Sequence, residues 1–238
     1  AYNELAYSVT IEDNITSDSR KEKNKLLNEI LEKIISIVES HGDSVINDFG
    51  IILDKQGNYV FNQSSETQRL RFVADVMGKR TIDDLSDKQK NMSADDIIEY
   101  LCTSNTSYGY GINTKKLEKE HVLKLVNMRY AISLNSYQKY IPTTLAYDVS
   151  DETVVSIKEN IDQLEGVDIA EESLRRYTDS KYFANMIGYT GKISQEEYDA
   201  LDKETKKKYS LTDIVGKSGL EQVYDEVLQG PKGEVSVY

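Results

Sequence analysis

The side chains best placed for chemistry in this sequence are a serine and a lysine one helical turn apart. Ser136-Tyr137-Gln138-Lys139 has the Ser-x-x-Lys spacing of an acyl-transferring serine. On a helix that spacing sets an amine beside a hydroxyl, where it can take the proton and free the nucleophile. A working site of this kind takes a Ser-x-Asn element from a distant loop that follows the nucleophile. Here Ser133-Leu134-Asn135 lies directly before Ser136, so order and spacing are both wrong. Lys217-Ser218-Gly219 imitates a third such element, a Lys-Thr-Gly strand, but Ser218-x-x-Glu221 reads as a helix-capping box. Gly216-Lys217-Ser218 would end a phosphate loop only with a glycine five positions earlier, and that position holds Leu211.

Metal chemistry finds no better footing. His41 and His121 are too far apart in sequence for a helical ligand pair. The acidic run Asp83, Asp84, Asp87, Asp95, Asp96 lacks the alternation and glycine of a calcium loop, and reads as a solvated face holding helix starts. Asn14, Asn62, Asn91 and Asn105 open formal glycosylation triplets, with nothing to indicate a secretory eukaryotic route. Cys102 is the single cysteine, which excludes an internal disulfide framework. No cofactor is expected. The residues favour a binding or positioning module over an enzyme.

The elements around these residues come from 238 residues with 29 basic and 41 acidic side chains, a net charge of −12. Phosphate neutralisation needs clustered cations, so no nucleic-acid partner is expected. The apolar runs are as short as Ile51-Ile52-Leu53, far below the roughly 20 residues of a bilayer span. No signal-peptide core stands near the start. Ala1 opens the chain and Tyr238 closes it inside an alternating apolar stretch, which suggests a piece of a longer polypeptide.

Leu5 to Ile11 reads as a strand. Leu26, Ile30, Ile34 and Val38 form one i, i+4 row and Leu27, Leu31 and Ile35 the next, so a long helix follows, capped by Ser19-x-x-Glu22 and stopped by Gly42. Residues 51–61 predict a hairpin turning over Gly57-Asn58. Ser65 and Ser93 predict helix starts, 103–113 a loop, and a longer helix resumes near Lys115. Thr144 to Val149 reads as a strand, then Ser150 caps a helix ended by Gly166; Val167–Ala170 and Leu174–Tyr177 read as extended. Ser194-x-x-Glu197 predicts a short helix, and Ser218-x-x-Glu221 a last one through Leu228, stopped by Gly230 and Pro231. Strands and helices alternate without a regular βαβ rhythm, which favours α+β.

The C-terminal third carries a resemblance. Arg175-Arg176-Tyr177, Ala184 to Glu197 with Gly188 and Gly191, and Tyr209 to Glu221 with Gly216, Ser218 and Gly219, then Tyr224-Asp225, Leu228 and Gly230, resemble the end of the N-terminal region of class B penicillin-binding proteins. Arg129-Tyr130, Tyr137, Tyr140, Pro142, Leu145-Ala146, Glu159-Asn160 and Gly166-Val167 fit the same family, and Ala1 to Ala6 resembles the tail of its first motif. The family's Arg-x-Tyr-Pro-x-Gly motif has Thr178 and Ser180 in place of its proline and glycine, and Asn185 stands where a histidine is common. The Ile-Ser-x-Glu-Glu insert between the glycine pairs is more similar to elongation-type than to division-type members.

The resemblance implies a membrane-anchored, extracytoplasmic D,D-transpeptidase whose nucleophile lies beyond Tyr238. This chain would be its pedestal, or dimerisation domain: α+β, an elongated strand-rich pedestal with an inserted α/β head subdomain. Residues 1–16 would be the first pedestal strand, 17–128 the head and 129–238 the rest of the pedestal. The implied partners are its own C-terminal transpeptidase domain, a SEDS-type glycan polymerase, rod-complex scaffold proteins and, in a homodimer, a second copy. Arg175 and Glu221 are candidates for an ion pair pinning two segments, and the alternative is that Glu221 caps its own helix. Two other classes compete: an unrelated secreted adhesion or binding module, and a serine acyltransferase using Ser136 and Lys139.

Overall fold

The strand formers at the start of the chain become β1 (Tyr2–Ile11). A computed structural model describes residues 2–105, 107–135, 141–176, 186–193, 201, 205–207, 209 and 214–229. Two units emerge, Leu5–Glu172 and Ala1–Glu4 with Ser173–Tyr238, so the boundaries fall within strands.

In the larger unit β1 is the middle strand of a three-stranded sheet, flanked by β4 (Thr143–Val149) and β5 (Val167–Arg176). The two extended stretches expected between Val167 and Tyr177 are thus one strand up to Arg176. β1 and β4 are antiparallel, with Tyr7 opposite Val149 and Val9 opposite Ala146, and the register slips between these pairs. Asp148 has a positive φ of 50° beside the slip, the signature of a bulge that bends a strand.

The long apolar stripe becomes α1 (Arg20–Ser40), which buries Leu27, Ile30, Leu31, Ile34, Ile35 and Val38. Each fully buried Leu or Ile is worth about 1.5–3 kcal/mol. The Ser19 hydroxyl accepts the Glu22 N–H, and Gly42 at φ 83° ends the run. β2 (Ile51–Leu53) and β3 (Tyr59–Phe61) form the expected hairpin, its turn carried by Gly57 at φ 78° and by Asp54, which accepts the Gln56 and Asn58 N–H groups. Short capped helices follow: α2 (Glu66–Val76), α3 (Asp87–Lys90) and α4 (Ala94–Cys102). The acidic run does hold helix starts: Asp84 closes a capping box with Thr81 and Asp96 one with Ser93. The next helix, α5 (Lys119–Leu134), begins later than the sequence pattern suggests. The Asn113 side chain accepts the Lys115 N–H and holds that stretch in a turn.

The last helix of this unit, α6 (Asp151–Glu159), is tied to the loop after α1. Asp43 Oδ2 accepts the Ser150 N–H and both the Ser150 and Thr153 hydroxyls at 2.6–2.9 Å. Burial works against this carboxylate, and the hydrogen bonds from Thr153 and Ser150 outweigh it, so its pKa is held below the ordinary value. A depressed folded-state pKa gives stability that is fully present above the unfolded value, near 4, and lost as pH falls through the folded one. Urea midpoints should therefore drop as pH falls below about 4, and Asp43→Asn should flatten that drop. An unchanged pH slope in the variant would remove Asp43 from the account.

In the smaller unit β6 (Thr190–Lys192) pairs antiparallel with β7 (Ile214–Gly216). The single last helix expected from Leu220 to Leu228 is two, α7 (Gly219–Val223) and α8 (Asp225–Gln229), interrupted at Tyr224. The Ser194 helix lies outside the described residues. The whole is α+β, as the sequence pattern predicts. Among the described residues, no helix is long and apolar enough to cross a membrane.

Candidate functional site

Three glycines of the C-terminal motif, Gly188, Gly216 and Gly219, are required by a close approach. Gly188 has φ 81° and Gly219 φ 61°, the left-handed region that only glycine enters without penalty. A Cβ on Gly219 would sit 2.6 Å from the Met186 carbonyl oxygen and 2.7 Å from the Gly188 nitrogen. A Cβ on Gly188 would strike the Ser218 carbonyl, and one on Gly216 the Glu221 carbonyl. Gly191 is less crowded, facing only the Lys217 side chain at 3.3 Å. The turn before β6 and the turn before α7 are therefore pressed backbone to backbone, and the Lys217 N–H donates to the Tyr189 carbonyl at 2.8 Å.

Asp225 fastens this clasp. Its carboxylate accepts the Gly216 N–H and the Tyr209 hydroxyl, each at 2.7 Å. Tyr209, Ile193 and Val215 form a small buried cluster beneath it. Ser218 stands at the N-cap of α7 but makes no side-chain capping bond, which corrects the capping-box expectation. Its carbonyl and hydroxyl face the Gly188 turn instead. Glu221 is only 5% exposed, a burial that a carboxylate tolerates only with partners. Arg175 lies in β5 with its side chain outside the described residues, as do Tyr177, Ser136 and Lys139 entirely.

In the larger unit Arg129, one of the residues that carry the resemblance, holds a second arrangement whose partners the motif does not name. Arg129 is buried on α5 and donates to the Asn24 and Asn28 side-chain oxygens on α1. Those amides in turn donate to the Gly109 and Tyr110 carbonyls at 2.8 and 3.0 Å. The guanidinium also lies 4.9 Å from the Tyr110 ring centre, and burial pulls its pKa down to about 10. Among the described residues no carboxylate pairs with it. One buried cation thus pins the loop after α4 to two helices. A signal for it exists in the sequence: Arg129 interrupts the apolar row Val122, Leu125, Val126, Ile132, where a charge has no business without buried partners. Nearby Cys102 is buried, which pushes its thiol up to about 12 and leaves it unreactive.

Taken together, these features define an α+β domain whose motif residues build turns and clasps. It belongs to the family described as the penicillin-binding protein dimerisation domain, whose model matches residues 1–238. The chain is 24% identical over 154 residues to the peptidoglycan D,D-transpeptidase MrdA of Acinetobacter baumannii, covering 63% of this chain and 22% of that protein. It is 33% identical over 89 residues to penicillin-binding protein 2A of Bacillus subtilis, covering 37% of this chain and 12% of that one. Penicillin-binding protein 2B of Streptococcus pneumoniae is similar in structure, with a TM-score of 0.44 and 20% identity over 95% of this chain and 31% of that chain. The chain thus matches at most 22% of the length of these curated relatives.

Proposed function

We propose that this chain is the pedestal of an elongation-type, membrane-anchored, extracytoplasmic peptidoglycan D,D-transpeptidase. It carries the catalytic domain and meets the SEDS-type polymerase, rod-complex scaffold proteins or a second copy. The clasp of Gly188, Gly191, Gly216, Ser218, Gly219, Glu221 and Asp225 sets the geometry of the surface that holds that domain. The observation that carries this reading is the apolar face beside the clasp. Val223 and Val227 are 75% and 77% exposed, and Leu220, Tyr224, Met186 and Tyr189 are exposed with them. So many exposed apolar side chains on short neighbouring stretches mark a surface that is covered in the working protein. The occupant that family membership favours is the parent's transpeptidase domain, since most of each relative's length lies outside the match.

The test uses the parent protein and the isolated chain side by side. Val223→Asp with Val227→Asp should lower the parent's melting midpoint by several degrees, because buried charges at the junction are costly. The same pair should leave the isolated chain within about 0.5 kcal/mol of wild type, as surface changes do. Unchanged melting of the parent would sink the reading. Concentration-dependent self-association of the isolated chain, abolished by the pair, would hand the face to a second copy. A fluorescent penicillin should label the parent and not the isolated chain; labelling at Ser136 would favour the acyltransferase alternative.

A further inference from the structure

The larger unit contains a cleft of about 1100 Å³ between α4 and the loop that follows it. That volume exceeds the range of about 300–1,000 Å³ typical of drug-sized ligands, so a single small ring would leave it mostly empty. Tyr100 on α4 and Tyr108 on the loop stack at its edge, with ring centres 4.4 Å apart and planes within 11°. Tyr108 remains 39% exposed, so part of the aromatic surface faces solvent.

The loop wall is preorganised. The Tyr110, Gly111 and Ile112 N–H groups donate to the Leu101, Thr103 and Cys102 carbonyls at 2.8–3.0 Å. Asn24 and Asn28, themselves held by Arg129, fasten the same loop from behind. Gly109 has Thr103 so close that a Cβ would lie 2.6 Å from its methyl group, which keeps the turn tight. A wall fixed in advance loses little conformational freedom when a ligand arrives.

The charge of the lining decides the ligand class. Lys88 and Lys115 stand against Asp96 and Glu99, a balanced set in a chain of net charge −12. Asp96 is already engaged by the Ser93 N–H and hydroxyl, while the Glu99 carboxylate has no hydrogen-bond or ion-pair partner among the described residues. The amides of Asn91 and Asn113 complete the polar edge. A strongly anionic or cationic polymer finds no complementary field here. A peptide would look for deep apolar anchor pockets, and Ile112 and Cys102 in this lining are buried rather than open. A neutral saccharide fits better. The C–H face of a pyranose packs against the negative face of an aromatic ring. A free carboxylate and amides take its hydroxyl and acetamido groups.

We infer that this cleft binds a saccharide of two or more rings, stacked on Tyr108 and hydrogen-bonded by Glu99. The choice of N-acetylated hexosamines as the class rests on the cell-wall reading above; the stacking and the hydrogen-bonding groups do not. The probe is the β-1,4-linked N-acetylglucosamine tetramer, titrated into isotope-labelled protein and followed by amide chemical shifts. Saturable shifts are expected in residues 99–115 with a Kd near about 1 mM. Tyr108→Ala should weaken binding about five- to tenfold and Tyr108→Phe should restore it. Glu99→Gln should weaken it as well; Glu99→Gln and Tyr108→Phe should leave the melting midpoint unchanged, while Tyr108→Ala also gives up the stack on Tyr100 and is read against its own folded spectrum. No saturable shift in 99–115, or equal binding by Tyr108→Ala, would overturn the inference. So would shifts from a wall stem peptide in place of the sugar. The junction experiment reads a different surface without sugar, so the two ideas can fail separately.

Discussion

Arg129→Ala is expected to destabilise the larger unit by about 3–5 kcal/mol. Three terms add. The buried Asn24 side-chain oxygen loses its donor, at about 1–3 kcal/mol for an unsatisfied buried group, and the half-buried Asn28 oxygen loses its own at a smaller cost. The volume of the guanidinium becomes a cavity between α1 and α5. The cation–π contact with Tyr110 disappears. Relief of the charge's desolvation offsets part of the sum, which keeps it below the simple total. Urea denaturation followed by circular dichroism measures the loss. Arg129→Met refills the space without supplying donors, so it should recover only part of it. Hydrogen exchange at the Tyr110 and Gly111 amides should quicken in both variants, because the loop has lost its tether. Full recovery by methionine would show that packing alone matters and would remove the polar account.

Gly188→Ala and Gly219→Ala should each cost the smaller unit about 2–5 kcal/mol. Forcing an L-residue to a positive φ costs roughly 1–2 kcal/mol. The new methyl group also has to displace backbone, at Ser218 for one site and at Met186 and Gly188 for the other, and overpacking adds about 1–3 kcal/mol. Gly191→Ala is the built-in control. It meets only the flexible Lys217 side chain at 3.3 Å, without a positive φ, so its cost should stay below about 1 kcal/mol. Hydrogen exchange of β6 and β7 measures the series. Equal effects at Gly188 and Gly191 would mean that glycine matters here for composition and not for the clasp.

What the sequence disclosed depended on the range of each interaction. Ser19, Ser65, Ser93 and Ser150 accept N–H groups three positions on, so their helix starts are written locally. The hairpin around Gly57 is equally local. Ser218 failed the same rule because its surroundings are set by the Gly188 turn, thirty residues away in sequence, and no short window contains that contact. Asp225 was visible as part of a motif, but its two bonds to Gly216 and Tyr209 were not. The Arg129 network joins positions 105 residues apart, and only the misplaced charge in an apolar helical row hinted at it. The fold class and the glycine spacing were readable; the partners of Glu221 and the cleft beside Tyr108 depend on folds of the chain that periodicity does not report.

The order of the main sheet has a consequence for synthesis. Its central strand is made first, yet both neighbours, Thr143–Val149 and Val167–Arg176, are made more than a hundred residues later. A nascent chain therefore carries Tyr2–Ile11 with two bare edges until the second half has left the ribosome. Open edges of this kind recruit other strands, and distant pairing is slow. Shortened versions ending before residue 143 should accumulate as aggregates, so the middle strand of this sheet needs shelter until its neighbours arrive.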